Sequence, residues 1–283
     1  MAVNKHIQKI RGWGLDVLAI QNKGYRLAYP LDLIDEQRLA QQLDTPFYYC
    51  PIIDSTNQYL LDHIKQLMSG SICIAEYQTA ARGRRGRRWY SPFASNLYYS
   101  MYWQLSQGPM AAMGLSLVIG MVLAQTLHAL GETEVKVKWP NDLYLQGKKL
   151  AGILVELSGA TADIAHVVLG IGINLNMHNI DPDIVTQDWA KLDQLAIDRT
   201  SLVILLSQKL QQALVVFEQQ GLKPFIEQWQ ALDNFYNCPV KLLMADKEIK
   251  GIAKGINQQG ALLLEQDGII TAYLGGEISL RAN

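Results

Sequence analysis

The sequence is poor in cysteine, modest in charge and short of long apolar runs. Only three cysteines, Cys50, Cys73 and Cys238, are spread over 283 residues, with no C-x-x-C pair among them. Neither a zinc site nor a disulfide framework is therefore expected, and a reducing compartment, the cytoplasm, fits. Charged residues make up 18% of the chain and the formal net charge is -1. That balance excludes a protein whose whole surface exists to hold nucleic acid; any basic site must be local. The most apolar stretch, residues 110–130, is interrupted by Gly114, Gly120, Gln125 and His128. Its unbroken runs fall short of the roughly 20 residues that cross a bilayer, so it reads as a buried core helix and no membrane partner is expected. Met1 to Arg11 mixes charges with apolar residues and lacks the apolar core of a secretory signal.

What is present suits a globular protein of two or three domains, with 49% hydrophobic residues and no low-complexity segment. Three units are expected, residues 1–29, 30–235 and 236–283. The first carries Lys5, Lys9, Arg11, Lys23 and Arg26 against one acid, Asp16, a local net of +4, which leaves -5 for the remainder. It reads as a helix over residues 2–11, stopped by Gly12 and Gly14, then two short strands around an Asn22-Lys23-Gly24 turn. A basic helix followed by a β-ribbon is the closing part of a winged helix-turn-helix. Pro30 marks the linker.

The middle unit mixes strands and helices. Ser55 and Thr56 stand at an N-cap ahead of Leu60, Leu61, Ile64, Leu67 and Met68 at helical spacing, with Gly70 as the stop. Strands are expected over residues 72–76, 97–104 (where Leu97, Tyr99, Met101 and Trp103 alternate with Tyr98, Ser100, Tyr102 and Gln104), 135–139, 142–145, 150–157 and 164–173, with Gln146-Gly147 as a hairpin turn. Helices follow over 201–219, behind a Thr200 or Ser201 cap, and over 225–232. The fold class is α+β, a central mixed or largely antiparallel sheet covered by helices. Five short strands after Pro239, with turns at Gln259-Gly260, Asp267-Gly268 and Gly275-Gly276, suggest a small SH3-like barrel.

Chemistry concentrates in four segments. The run Ala80-Ala81-Arg82-Gly83-Arg84-Arg85-Gly86-Arg87-Arg88-Trp89 places five arginines within seven residues. Such a run serves either a nucleic-acid or heparin patch or an anion-binding loop. The glycines favour the loop, because Gly83 and Gly86 free the backbone to turn N–H groups inward while guanidinium forks supply fixed charge. Asp54-Ser55-Thr56-Asn57 offers hydroxyl and amide groups beside a helix start, where capping and ligand binding coexist. Lys138-Trp139-Pro140-Asn141-Asp142 puts two oxygen donors on an exposed turn, suited either to turn formation or to Mg²⁺. Lys148-Lys149-Leu150-Ala151-Gly152-Ile153-Leu154-Val155-Glu156 opens an apolar strand with two lysines, of which Lys148 reads as solvated.

Together, in register, and with Gly170-Ile171-Gly172-Ile173-Asn174 and Leu274-Gly275-Gly276-Glu277-Ile278-Ser279-Leu280-Arg281 downstream, these motifs closely resemble the biotin protein ligases. The likeness is to the bacterial type that doubles as the biotin operon repressor. The resemblance implies a biotin/lipoate ligase catalytic fold over 30–235, with ATP, Mg²⁺ and biotin as reactants. A lysine of a biotin carboxyl carrier protein, an acetyl-CoA carboxylase subunit, is the implied acceptor. It assigns biotin to Ser55, Thr56, Asn57, Gln78, Arg82, Gly83, Arg84 and Lys149, and the adenylate to Arg84, Arg85, Trp89, Asn141, Lys149 and Asn174. Mg²⁺ falls to Asp142, and catalysis to Lys149, Arg82 and Arg84. Trp89, Trp103 and Trp139 suit either an apolar wall or the core. A homodimer and a repressor role on operator DNA are further implications. The chain starts inside the family's helix-turn-helix, so operator binding is expected only with the preceding helices. Ala81 stands where the family pattern has glycine. Octanoyl transferases share the fold but use a cysteine nucleophile, and neither Cys50 nor Cys73 lies in a matching motif; a lipoate-type ligase is the weaker alternative.

Overall fold

The computed structural model describes residues 2–106, 108, 112–159, 164–178, 185, 187–192, 195–244, 247–275 and 278–282. Met110, Gly276 and Glu277, on which expected elements or turns fell, lie outside them. At the N-terminus α1 (Ala2–Gly12) leads into an antiparallel ribbon, β1 (Val17–Ile20) and β2 (Gly24–Leu27), closed by Asn22 and Gly24, both at positive φ. Trp13 fixes this ribbon to the rest of the chain. Its ring stacks on Phe93 with centroids 5.5 Å apart, and its carbonyl accepts from Phe93 N at 2.8 Å.

The central sheet uses β3 (Phe47–Ile53), β4 (Ile72–Gln78), β5 (Asn96–Leu105), β6 (Lys136–Lys138), β7 (Asp142–Leu145), β8 (Lys148–Ser158) and β9 (Ala165–Asn174). Their order is β3-β4-β5-β9-β8-β7-β6. Only β3 and β4 run parallel; the other pairs are antiparallel, so the α+β reading of a mixed sheet holds. The Gln146-Gly147 turn joins β7 to β8 with both residues at positive φ, as a two-residue hairpin demands. β5 is buried on both faces, so its residues do not split into a wet and a dry side.

One face of the sheet packs on α4 (Leu115–Ala129) and α5 (Arg199–Gln220). Eleven of the fifteen residues of α4 are buried, which is why its sequence is apolar all round. α5 is long and apolar enough to cross a membrane, yet Leu202, Leu206, Leu210, Leu214 and Phe217 line up at helical spacing and are buried in the core. Its cap is Asp198, whose carboxylate accepts from Ser201 N at 2.8 Å, rather than Thr200 or Ser201. Thr200 is otherwise engaged, its hydroxyl accepting from Asp35 N.

The opposite face carries α3 (Thr56–His63), capped by Ser55 and ending in a single 3-10 turn over Ile64–Gln66, earlier than the expected stop at Gly70. The turn ends the helix because Leu67 is extended and bonds back to Ile64. Two elements absent from the sequence reading are β3 and α2 (Glu36–Gln42). After α6 (Ile226–Leu232) come β10 (Pro239–Met244), β11 (Lys247–Ile256), β12 (Leu262–Gln266), β13 (Ile269–Tyr273) and β14 (Ile278–Ala282). They form one antiparallel sheet, β13-β12-β11-β10-β14, matching the small barrel expected. Its apolar face joins the main core, and Trp139 Nε1 donates to Gly260 O at 3.0 Å across the junction.

Candidate active site

On the α3 side of the sheet lies a cavity of about 660 Å³, walled by the arginine loop, the β8–β9 pair, the end of β6 and the β14 residues Leu280 and Arg281. All thirteen residues singled out in the sequence line it: Ser55, Thr56, Asn57, Gln78, Arg82, Gly83, Arg84, Arg85, Trp89, Asn141, Asp142, Lys149 and Asn174. Trp139 also reaches the wall, but it is 1% exposed and bonded into the core, and Trp103 is buried in the core as well.

At one end the β3–α3 junction places hydroxyl and amide groups together. The Ser55 hydroxyl caps α3 by accepting from Gln58 N at 3.3 Å. Thr56 donates twice to Gln78 Oε1, from N at 2.9 Å and from Oγ1 at 3.2 Å. Ser100 Oγ sits between Thr56 Oγ1 at 2.7 Å and Asn57 Oδ1 at 2.5 Å. Asn57 Nδ2 donates to Glu156 Oε2 at 2.8 Å, and Glu156 pairs with Arg82 at 3.0 Å. A continuous polar chain thus links the start of α3 to the arginine loop. Such a chain can both donate to and accept from a cyclic urea, since hydroxyl and carboxamide groups carry both capacities.

The floor beneath is bare. Gly170 and Gly172 present no side chain, and a Cβ at Gly172 would stand 2.5 Å from Trp89 Cε2, while one at Gly170 would overlap Asn57 Oδ1. Glycine is required here by close approach, not by φ.

The arginine loop closes on itself more tightly than an open anion nest. Gly83 N donates to Arg87 O at 2.7 Å and Trp89 N to Ala81 O at 3.0 Å, with Arg85 and Gly86 at positive φ forming the tip. Gly83 is extended and spends its N–H inside the loop, so the expectation that it turns inward is corrected; the guanidinium forks remain as the anion donors. Ala81 is not among the residues at positive φ, so its methyl group is accommodated where the family has glycine.

The other end gathers charge. Lys149 Nζ meets Asp142 Oδ1 at 2.8 Å and lies 5.5 Å from the Trp89 ring centre. Arg84 Nη1 donates to Asn141 Oδ1 at 2.7 Å, and burial draws its pKa below the ordinary value. Asn141 in turn donates to Ile153 O at 2.7 Å. Asn174 spends its amide on the carbonyls of Ala190 and Lys149, so it buttresses the backbone under Lys149. Lys148 is exposed, as expected.

Among the described residues no group of three His, Cys, Asp or Glu side chains surrounds a metal position. Asp142 is the one carboxylate among the described residues of the wall. Mg²⁺ needs only one or two carboxylates when phosphates complete its shell, so this donor set fits an ion that arrives with a nucleotide.

Lys138 and Arg281 were missed as site residues. Lys138 belongs to the Lys-Trp-Pro-Asn-Asp motif already singled out, and its position three residues before Asn141 was the available signal. It is 3% exposed, with Nζ donating to Tyr144 Oη at 2.7 Å. Burial, reinforced by the cations Arg281, Lys149 and Arg87 and opposed by Asp142, lowers its pKa to about 8. The unfolded chain then holds the extra proton between about 8 and the ordinary 10.5, so stability rises with pH across that window and the penalty is full below it. At about 1.4 kcal/mol per pKa unit the penalty is on the order of 3 kcal/mol. Lys138→Met is therefore expected to be more stable than the parent in urea at pH 7, with the gap narrowing by pH 10. A gap that widens with pH would refute the assignment.

One cavity thus joins a polar chain able to pair with a cyclic urea to a bank of cations. Residues 49–174 match the Biotin/lipoate A/B protein ligase family, and residues 237–281 match the Biotin protein ligase C terminal domain. The chain is 57% identical over 284 residues to the Bifunctional ligase/repressor BirA of Escherichia coli, covering 99% of this chain and 88% of that protein. It is 32% identical over 218 residues to the Biotin--[acetyl-CoA-carboxylase] ligase of Paracoccus denitrificans, covering 75% and 90%. The biotin protein ligase of Aquifex aeolicus, solved in complex with biotin and ATP, superposes with a TM-score of 0.73 at 28% identity over 84% of this chain and 99% of that one. The chain belongs to the biotin/lipoate A/B protein ligase family.

Proposed function

We propose that the chain activates biotin with ATP as biotinyl-5'-AMP and transfers the biotinyl group to a lysine of a biotin carboxyl carrier protein. The observation that carries this reading is one cavity with the Thr56–Gln78 polar chain at one end and Lys149, Arg84 and Lys138 at the other. Ser55, Thr56, Asn57 and Gln78 hold the ureido ring. Arg82, Arg84 and Lys149 meet the carboxylate and the α-phosphate, two anions that must approach before pyrophosphate leaves. Fixed cations favour that step because they are already in place when charge develops. Arg85, Trp89, Asn141 and Asn174 bound the adenylate side. Mg²⁺ supplied with ATP would be held by Asp142 and adds charge neutralisation. In the second step the acceptor amine attacks the mixed anhydride and AMP leaves, while the arginine loop excludes water from a hydrolysable intermediate.

The three units 1–29, 30–235 and 236–283 divide this work, with the last contributing Leu280 and Arg281 to the wall. The reading is tested by mixing the chain with biotin, ATP, Mg²⁺ and an acceptor domain. Biotin-dependent pyrophosphate release and acceptor labelling are expected; labelling with lipoate in place of biotin would overturn it. Arg84→Gly is expected to slow synthesis without abolishing it and to speed the loss of preformed, labelled biotinyl-AMP, since it removes the bond to Asn141 and a buried charge. An unchanged dissociation rate would count against Arg84 as a closing residue.

A second activity, repression with biotinyl-AMP as corepressor, is favoured by α1, which buries none of its residues and carries Lys5, Lys9 and Arg11 beside the Lys23 and Arg26 ribbon. Those cations contact phosphate, which positions a protein without reading sequence. Cytoplasmic residence accords with the unpaired cysteines.

A further inference from the structure

Cys50 and Cys73 are 23 positions apart in sequence, but the fold sets them on neighbouring strands. In the parallel pairing of β3 with β4, Cys50 is opposite Ala75 and Cys73 is opposite Tyr48. Both thiols therefore lie on the same face, on diagonal positions two residues out of step. Both belong to the apolar cluster under α3, with Leu60, Tyr59, Tyr102 and Val168. They differ in access: Cys73 is fully buried, whereas Cys50, on the edge strand of the sheet, is partly open. The neighbouring Cys73 thiol, together with the nearby His63, draws the Cys50 pKa down to about 7 against the opposing effect of burial. The same partnership raises that of Cys73. A partly open thiol with a lowered pKa beside a buried thiol on the same sheet face is the arrangement of an attacking and a resolving cysteine.

The two strands also lead straight into the site. Five residues beyond Cys50 is Ser55, and five beyond Cys73 is Gln78, the acceptor of both Thr56 bonds. Bridging diagonal positions needs the strands to shift, because a disulfide tolerates only a narrow range of Cα separations. That shift is carried into the Thr56–Gln78 contact.

We propose that Cys50 and Cys73 form a peroxide-oxidisable thiol pair whose disulfide displaces Thr56 from Gln78 and so lowers the protein's grip on biotin. The Cys50 thiolate attacks one peroxide oxygen and the O–O bond breaks, giving a sulfenic acid and hydroxide. The Cys73 sulfur then attacks the sulfenic sulfur, its proton leaves with the departing hydroxyl as water, and the S–S bond forms. Peroxide is the oxidant throughout. The effect on activity rests on the biotin reading above; the thiol chemistry does not.

The test treats the full chain with hydrogen peroxide and follows it by intact mass and peptide mapping. A Cys50–Cys73 cross-linked peptide with the loss of two hydrogens is expected, reversed by a thiol reductant. Iodoacetamide at neutral pH should modify Cys50 faster than Cys238, which is also partly open. Biotin binding, measured by titration, should weaken several-fold on oxidation and recover on reduction. Cys50→Ser should bind biotin as the parent does and ignore peroxide. Absence of the cross-link, or alkylation of Cys50 no faster than Cys238, would overturn the thiol pair. A cross-link that leaves biotin affinity unchanged would overturn its coupling to the site. Mass alone reads the first two outcomes, so they stay distinct from a failure of the biotin reading, in which even the untreated parent would not bind biotin.

Discussion

Replacing Lys149 with alanine is expected to cut biotin-dependent pyrophosphate release by roughly two powers of ten or more, the loss seen when one strong, preorganised electrostatic donor is removed. Lys149 enters the cavity from the start of β8, and its side chain is only 15% exposed. Its charge is held by Asp142 at 2.8 Å until a stronger anion competes for it. The backbone at this position is fixed independently of the side chain. Lys149 N donates to Asp188 O at 3.2 Å, and its carbonyl accepts from Ala190 N at 2.8 Å. The substitution should therefore spare the fold while leaving Asp142 without its cation, a cost of about 1–3 kcal/mol. Single-turnover adenylate formation, with circular dichroism as the check on folding, separates the two effects. Activity within about two-fold of the parent would remove Lys149 from the chemistry. Lys149→Arg should recover part of the lost rate, because charge is restored with a different reach.

Arg199→Ala is expected to destabilise the chain by about 3–5 kcal/mol, the range for breaking a buried ion pair from one side. Arg199 Nη1 meets Glu76 Oε2 at 2.6 Å, with side-chain exposures of 5% and 0%. The pair is the knot between distant segments. Arg199 also bonds Asp32 through its backbone N and through Nη1, and Glu76 Oε1 accepts from Ile34 N at 2.8 Å and from the Tyr49 hydroxyl at 3.0 Å. Removing the guanidinium strands a carboxylate beneath the linker that joins the N-terminal ribbon to the sheet. For a protein of this size such a loss lowers Tm on the order of ten degrees. Thermal unfolding of Arg199→Ala and of Glu76→Gln with Arg199→Met gives the contrast. The single variant should fall far further than the double, which leaves no lone charge. Equal losses would show that the pair acts through packing alone.

Much of the fold was legible because its signals are local. The apolar α4, the Gln146-Gly147 hairpin and the alternating C-terminal strands each carry their own periodicity or turn chemistry within a few residues. The elements overlooked lack such signals. α2 spans seven residues and buries only Leu39, so no apolar stripe marks it. β3 contains Pro51 and lies at the sheet edge, where a missing N–H is tolerated and a strand pattern is weak. The cap of α5 was misplaced by two or three residues because Asp198, Thr200 and Ser201 are all competent caps, and only the packing of Thr200 against Asp35 decides among them.

By itself the sequence determined the family and the chemistry its motif side chains carry, because motifs fix residue types and order along the chain. Which of those side chains meet was decided only by tertiary structure. Lys149 and Asp142 become a pair because β7 and β8 fold back on one another, and Glu156 reaches both Asn57 and Arg82 because β8 passes beside α3 and the arginine loop. Lys138 acquires its lowered pKa from burial among cations drawn from the arginine loop, β8 and β14. Cys50 and Cys73 looked unrelated along the chain and became neighbours through parallel pairing, a contact whose two partners are separated by an entire helix. The physical reason is the same in each case: electrostatic and thiol chemistry depend on distance and desolvation, and neither quantity is written in sequence spacing.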